Sequence, residues 1–474
     1  MNNQRLELVA DFYEYTMSNG YLNKKMENQI AYFDVFFRKV PDEGGYAIIA
    51  GLEQIINYIK NLSFDEEDIN YLRKQNKFSE EFLNYLENFR FTGDVWAIPE
   101  GTVVFPNEPL ITVRAPIIQA QLLETVLLLT TNHQSLIATK TSRIVKEAQG
   151  RPVMEFGARR AHGINAAVEG ARAAIIGGAI GTSCTLSAKE FNVPASGTMA
   201  HSWVQSFDSE YEAFKTYAEI YPDDCTLLID TYNTIESGLP NAIKVFNEVL
   251  KPKGYKPKAV RLDSGDLAYL SKKVRKILDE AGYTECKICA TNSLDEYLIK
   301  SLIEQDAKID SFGVGENLIT AKSEPVFGGV YKLVGIEKDT KIIPKIKVSE
   351  NVVKVTNPGF KKVYRFYDNE SQKAIADVIA LSDEIIDERE YMIFDPQNPW
   401  KKKLIKDYTI RELQEKIFEN GKLIYKSPTL EEIAKKSKKE LNSIWEEVKR
   451  IENPHKYYVC LLYTSPSPRD AHES

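Results

Sequence analysis

Between about 151 and 340, short apolar runs alternate with stretches in which apolar residues recur every three or four positions. The runs end near Phe156, Asp230, Asp263, Ala290 and Phe312. Between them, Leu270, Val274, Ile277 and Leu278 share one helical face that Gly282 can cap, and Leu294, Leu298 and Leu302 mark another. Strand–helix repetition at this spacing implies parallel pairing, hence a barrel or an open doubly wound sheet. Periodicity alone does not choose between them. The flanks differ. Ala31-Tyr-Phe-Asp-Val-Phe-Phe-Arg is strand-like, Tyr46 to Leu62 reads as an amphipathic helix, and Phe91 to Ala115 as several short strands. Ile117 to Gly150 reads as helix in two segments. Short strands return after 341, as in Val363-Tyr-Arg-Phe-Tyr, followed by Lys/Glu-rich helix over Thr429 to Ile451. The expected domains are therefore 1–150, 151–340 and 341–459. Residues 460–474 carry two Ser-Pro pairs and no apolar stripe, and are expected to be a disordered tail outside the main pattern.

With 474 residues, 43% of them hydrophobic and 27% charged, the chain can bury an ample core. Its net charge of −7 gives no global support to nucleic-acid binding. A polyanionic ligand would have to be drawn by local arginines and backbone N–H groups. Met1-Asn-Asn-Gln-Arg lacks a leader pattern, and the apolar run Leu122 to Thr130 carries Glu124 and is too short to span a bilayer. Five cysteines, an odd and sparse set, suit a reducing cytoplasm. Cys286-Lys-Ile-Cys289 has redox or zinc spacing, but it has no second pair and lies on an apparent strand, so a structural role is favoured.

The run from Val153 to Phe207 is rich in small residues and holds Arg159, Arg160, Arg172, His162 and His201. Small residues let backbone approach a ligand and arginines clamp anions, so a phosphorylated small molecule is expected here. Val260-Arg261-Leu262-Asp263-Ser264-Gly265-Asp266 is a short apolar strand ending in polar groups, and ligands in α/β proteins sit at carboxyl ends of strands.

Five stretches carry a resemblance: Glu155-Phe-Gly-Ala-Arg-Arg, Gly197-Thr-Met-Ala-His-Ser, Leu228-Ile-Asp-Thr-Tyr, Val260-Arg-Leu-Asp-Ser-Gly-Asp and Gly328-Gly-Val-Tyr-Lys-Leu-Val. In this order, across Glu7 to Val459, they resemble the nicotinate phosphoribosyltransferase family. The resemblance implies an irregular α/β barrel with a discontinuous α+β domain built from both chain ends. It implies formation of nicotinate mononucleotide and pyrophosphate from nicotinate and phosphoribosyl pyrophosphate, in NAD biosynthesis. It further implies ligase-type coupling to ATP hydrolysis through a phosphohistidine, with Mg²⁺ carried by substrate phosphates, in a cytoplasmic homodimer with shared active sites.

Residue by residue, the resemblance makes His201 the phosphohistidine, Phe156 the ring-stacking position and Tyr13 a substrate tyrosine reaching a neighbouring subunit. A neutral imidazole is a competent nucleophile toward phosphorus. His133 and His162 are alternatives by type; His133 reads as a core histidine. No Gly-x-x-x-x-Gly-Lys-Ser/Thr loop occurs, so ATP would not be held by a P-loop. Asp263 and Asp266 are placed for ribose hydroxyls or water-held Mg²⁺, with helix capping the rival role. Asn292 and the pair Gly313 and Gly315 follow strands and could offer backbone N–H groups to a 5′-phosphate. Thr198, Arg159 and Arg261 complete the candidate substrate-binding set. Relatives often carry Thr at the position of Glu316, where an inward carboxylate would repel phosphate. Ser183 stands where amide-using relatives carry an acid, and a hydroxyl there favours nicotinate. The alternatives are a nicotinamide phosphoribosyltransferase, a more distant quinolinate phosphoribosyltransferase, a non-catalytic metabolite-binding relative, and a zinc or redox protein using Cys286 and Cys289.

Overall fold

A computed structural model describes residues 6–347, 356–386, 390–395 and 398–462. The chain forms two compact units. One joins both chain ends, Met1–Leu136 with Val326–Ser474, and the other is Ile137–Pro325. These limits differ from the boundaries expected at 150 and 340. The change at 151 marks the first strand of the second unit, whereas the division falls inside the continuous helix Glu124–Glu147. Val330–Lys338 pairs antiparallel with Ile30–Phe36, which draws that segment into the first unit.

In the first unit, a seven-stranded sheet runs Lys341–Pro344, Val330–Lys338, Ile30–Phe36, Ile111–Pro116, Asp94–Ala97, Glu415–Glu419, Lys422–Leu423. A four-stranded sheet runs Tyr408–Glu412, Lys361–Asp368, Ala374–Leu381, Tyr458–Leu461. The expected helix from Tyr46 begins later. Ala47–Ile48 is strand, and Gly51 at φ 102° turns the chain into helix Leu52–Asn61. The helix expected over Thr429–Ile451 is Leu430–Ser443; it starts on a capping box of Thr429 and Glu432, and its end is held by Lys373 Nζ donating to the Asn442 and Ile444 carbonyls. Residues 460–462 correct the tail assignment. Tyr458–Leu461 pairs parallel with Ala374–Leu381, and Cys460 and Leu462 are buried. Residues 463–474 lie outside the described residues.

Glu14, on helix Phe12–Asn23, is fully buried, and burial pushes its carboxyl up to about 7 although Thr125 Oγ1 and the Asp11 N–H donate to it.

The second unit is α/β. Its parallel sheet runs Val153–Glu155, Ser311–Val314, Lys287–Ala290, Ala259–Leu262, Thr226–Leu228. Parallel bridges extend it from Glu155 to Thr182 and from Thr182 to Ala195. The strands are short and mostly apolar and buried, as expected where both faces are covered. The first strand pairs with the last, Val153 with Phe312. Among the described residues no ladder joins Ala195 to Thr226–Leu228. In an open sheet these two would be opposite edges, yet His201 and Asp230, which follow them, meet at 3.3 Å. The two ends of the sheet order are thus brought together by side chains rather than by a ladder, which fits the irregular barrel the resemblance implies.

Helix Leu267–Glu280 buries Leu267, Ala268, Ser271, Val274 and Leu278. In helix Glu296–Glu304 the expected stripe holds in part. Leu302 is buried, as is Leu294 just before the Asp295 N-cap, whereas Leu298 faces outward and Ile299 is buried in its place.

Candidate active site

The polar residues of the second unit gather past the carboxyl ends of its strands. Asp230 follows Thr226–Leu228 and its side chain is 1% exposed. Its Oδ2 accepts from the Asp263 N–H at 2.8 Å and from Ser264 Oγ at 2.6 Å, while Oδ1 faces His201 Nε2. His201 opens helix His201–Gln205, which is fixed by buried Val204 and by Trp203 Nε1 donating to the Ala213 carbonyl at 3.1 Å. The imidazole is 39% exposed, so part of the ring is open to a ligand.

Arg261 ties three strand ends together. Its Nε donates to Thr291 Oγ1 at 3.0 Å, Nη1 to Thr198 Oγ1 at 3.3 Å and to the Met199 carbonyl at 3.2 Å, and Nη2 to Asp263 Oδ1 at 3.2 Å. The Thr291 hydroxyl in turn donates to Asp263. The strand-end arginine therefore holds the Gly197–His201 loop and steadies Asp263. With its donors so directed, it is poorly placed to be the main clamp for a carboxylate.

Glu155 is fully buried. Its Oε2 accepts from Thr182 Oγ1 at 2.6 Å, and Oε1 accepts from the Gly157 N–H. Burial pushes its carboxyl up, against the downward pull of these donors. The contact fixes the turn that presents Phe156, whose N–H donates to the Val314 carbonyl at 2.8 Å. Thr182 Oγ1 also accepts from the Cys184 N–H at 2.9 Å, so the turn carrying Ser183 hangs from the same carboxylate. Ser183 is exposed beside Phe156, its N–H donating to the Glu155 carbonyl.

Gly313 takes a different part from the one expected. A Cβ built there would lie 2.5 Å from Phe156 Cδ2 and 2.7 Å from Thr291 Cγ2. The missing side chain thus makes room for the aromatic ring. Gly315 is the N-cap of the short helix Glu316–Ile319. The Glu316 carboxylate pairs with Lys322 at 2.7 Å, which holds its carboxyl below its ordinary value. Asn292 at φ 85° and Ser293 at φ 51° form a left-handed turn, held by Asn317 Nδ2 donating to the Ser293 carbonyl at 2.9 Å. Such backbone persists only where its surroundings enforce it.

Asp266 is a helix N-cap, accepting from the Tyr269 N–H at 3.0 Å. The capping role, rather than contact with the Arg261 cluster, is what this geometry gives it. Arg159 is exposed and has no side-chain hydrogen bond or ion pair among the described residues. His162 is exposed as well. Tyr13 belongs to the first unit, where burial and Glu124 raise its phenol. Burial pushes the Cys286 thiol up to about 12 and raises that of Cys289, which leaves neither a thiolate at neutral pH. Asp230, Thr291 and Glu155 were missed as site residues by sequence reasoning. The available signal was an apolar run ending in Asp, and a Thr directly after a strand.

The chain matches the model of the nicotinate phosphoribosyltransferase N-terminal domain over residues 8–132, that of the nicotinate phosphoribosyltransferase family over 152–358, and that of the C-terminal domain over 360–464. It is 46% identical over 457 residues to a nicotinate phosphoribosyltransferase of Bacillus subtilis, covering 96% of this chain and 93% of that one. A Caenorhabditis elegans protein of the same name is 34% identical over 517 aligned positions, covering 96% and 91%. The crystal structure of human nicotinic acid phosphoribosyltransferase superposes with a TM-score of 0.85 at 26% identity, covering 96% of this chain and 98% of that one. On its sequence, its fold and the order of its strand-end residues, the chain belongs to the nicotinate phosphoribosyltransferase family.

Proposed function

We propose that this chain transfers the phosphoribosyl group of phosphoribosyl pyrophosphate to nicotinate, forming nicotinate mononucleotide and pyrophosphate for NAD biosynthesis in the cytoplasm. The observation that carries the reading is the cluster of His201, Asp230, Arg261 and Asp263 beside the half-buried ring of Phe156. The Bacillus subtilis and Caenorhabditis elegans proteins named nicotinate phosphoribosyltransferase match the chain over 93% and 91% of their own length. In the transfer, the bond from ribose C1 to the pyrophosphate oxygen breaks and the pyridine nitrogen bonds to C1. Phe156 stacks on the pyridine, Asp263 accepts from ribose hydroxyls, and the turns at Asn292 and Gly315 offer N–H groups to the 5′-phosphate. Such positioning and fixed charge account for most of what the reaction needs.

Coupling to ATP belongs to the same proposal. With Nε2–H donated to Asp230, the lone pair sits on His201 Nδ1, which attacks the γ-phosphorus and releases ADP. The phosphohistidine is later hydrolysed to phosphate. Magnesium would supply positive charge to the phosphate oxygens. Among the described residues no group of three or more His, Cys, Asp or Glu side chains is placed to hold a metal ion. Tyr13 completes the site of a second copy in this reading. No helix among the described residues is long and apolar enough to cross a membrane.

Incubation with nicotinate, phosphoribosyl pyrophosphate and Mg²⁺, with and without ATP, tests the proposal. Nicotinate mononucleotide should form, faster with ATP and with ADP released. No product under either condition would overturn the reading.

A further inference from the structure

The rung of the sheet beyond Leu262, Ala290 and Phe312 sets Asp263, Thr291 and Gly313 side by side. Thr291 is 3% exposed, and its N–H continues the parallel ladder by donating to the Leu262 carbonyl at 2.9 Å. The left-handed turn at Asn292 and Ser293 then takes the chain away from the sheet. Its hydroxyl accepts from Arg261 Nε at 3.0 Å and donates to Asp263 Oδ1, the same oxygen that accepts from Arg261 Nη2, with the Leu262 carbonyl a longer acceptor at 3.3 Å. Its methyl reaches the space above Gly313 that the Phe156 ring also fills.

We infer that Thr291 is a two-faced positioning residue: its hydroxyl sets the Arg261–Asp263 pair that handles phosphoribosyl pyrophosphate, and its methyl sets the Phe156 ring that handles the pyridine. The inference rests on the proposed function. The hydroxyl face follows from charge. A single hydroxyl between a guanidinium N–H and a carboxylate can satisfy both at once, because it has one hydrogen to give and lone pairs to receive. No apolar side chain of the same shape can do so. The methyl face follows from packing, since a ring resting over a glycine needs a lateral neighbour to stop it from tilting.

The two faces separate by substitution. Thr291→Val keeps the shape and the methyl and removes the hydroxyl. Thr291→Ser keeps the hydroxyl and removes the methyl. Steady-state kinetics with both substrates, together with melting curves, read the outcome. Thr291→Val should lower kcat/KM for phosphoribosyl pyrophosphate about tenfold to a hundredfold, as for loss of a hydrogen bond to a charged group, with KM for nicotinate within about twofold. Thr291→Ser should raise KM for nicotinate about threefold to tenfold and leave the constants for phosphoribosyl pyrophosphate within about threefold. A general loss of folding would reduce kcat in both variants without splitting the two substrates, and would overturn the inference. So would a folded Thr291→Val with unchanged constants. If either variant fails to fold, Thr291→Ala replaces it and should show both defects together; a Thr291→Ala protein with one defect or none would also overturn it. An unmodified protein that turns over neither substrate would overturn the functional reading and this inference with it, whereas an active protein whose variants show no split overturns only the inference.

Discussion

His201 Nε2 lies 3.3 Å from Asp230 Oδ1, joining the two ends of the parallel sheet, between which no ladder runs among the described residues. The same carboxylate accepts from the Asp263 N–H and from Ser264 Oγ, so it orients the imidazole and the strand end carrying Asp263 together. A carboxylate that fixes the proton on Nε2 makes Nδ1 the nucleophile. His201→Ala should abolish ATP hydrolysis and its stimulation of synthesis while leaving some uncoupled synthesis. Asp230→Asn should slow phosphoenzyme formation about a hundredfold or more, by loss of the correct tautomer. Acid-labile phosphate from labelled ATP measures both, and phosphorus resonance should report the Nδ1 isomer. Undiminished phosphoenzyme in His201→Ala would remove the assignment.

Gly313 tests the ring platform. A Cβ at 2.5 Å from Phe156 Cδ2 forces the ring or the strand to shift. Gly313→Ala is expected to raise KM for nicotinate about tenfold, since overpacking of this kind costs about 1–3 kcal/mol. The constants for phosphoribosyl pyrophosphate should move less. An unchanged KM for nicotinate would show that the ring does not carry the pyridine.

The strand ends were legible in the sequence because each apolar run stops where the chain leaves the sheet, as at Leu262 before Asp263. His201, Arg261 and Asp263 stood out by residue type. Asp230 and Thr291 did not, because their importance lies in lateral neighbours. Asp230 meets His201 across 29 residues and Thr291 meets Asp263 across 28. Sequence order does not state which strand ends are adjacent, so it could not show that Val153 pairs with Phe312 or that the His201 and Asp230 ends of the sheet meet. Asp266 shows the converse: its type suggested chemistry, while its place directly before Leu267 makes it a cap.

Glu14 gives a pH prediction for the first unit. Its folded carboxyl titrates at about 7 against an ordinary 4.5, with Asp11 and Glu124 as neighbouring acids. Below pH 4.5 the carboxyl is protonated in both folded and unfolded chains and costs nothing. Between 4.5 and 7 only the unfolded chain ionises, so stability is lost as pH rises through the folded value and is flat above it. The shift corresponds to about 3 kcal/mol. Melting temperature of the unmodified protein should therefore fall between pH 4.5 and about 7 relative to Glu14→Gln and run parallel to it above. Parallel pH profiles for the two would show that the group ionises freely in the folded state.

The chain end gives a stability prediction. Cys460 and Leu462 are buried, and Tyr458–Leu461 completes the four-stranded sheet beside Ala374–Leu381. Ending the chain at Val459 removes two buried side chains and part of a ladder. A loss of about 3–5 kcal/mol is expected, by analogy with large-to-small core changes. A melting temperature within 1–2 °C of the full chain, roughly below 1 kcal/mol, would mean that this strand contributes little.

We propose that the choice of acid against amide is made beside Phe156. Nicotinate and nicotinamide differ only in a carboxylate or a carboxamide, and a carboxylate on the protein would repel the first and accept from the second. Ser183 is exposed at the strand end next to Phe156, on a turn held by its N–H to the Glu155 carbonyl and by Thr182 to the Glu155 carboxylate. Its hydroxyl can donate to a substrate carboxylate. Arg159, exposed and with no side-chain partner among the described residues, is better placed than Arg261 to add charge, because the Arg261 donors already meet Thr291, Thr198, Met199 and Asp263. A charge-assisted hydrogen bond contributes about 1.5–3 kcal/mol, so the preference for the acid should reach about tenfold to a hundredfold. Ser183→Asp should lower kcat/KM for nicotinate by a similar factor and that for nicotinamide by much less. Arg159→Ala should weaken nicotinate use in the same direction without changing the constants for phosphoribosyl pyrophosphate. Equal kcat/KM for acid and amide in the unmodified protein, or equal losses for both in Ser183→Asp, would move selectivity away from this turn and favour a site that accepts either substrate.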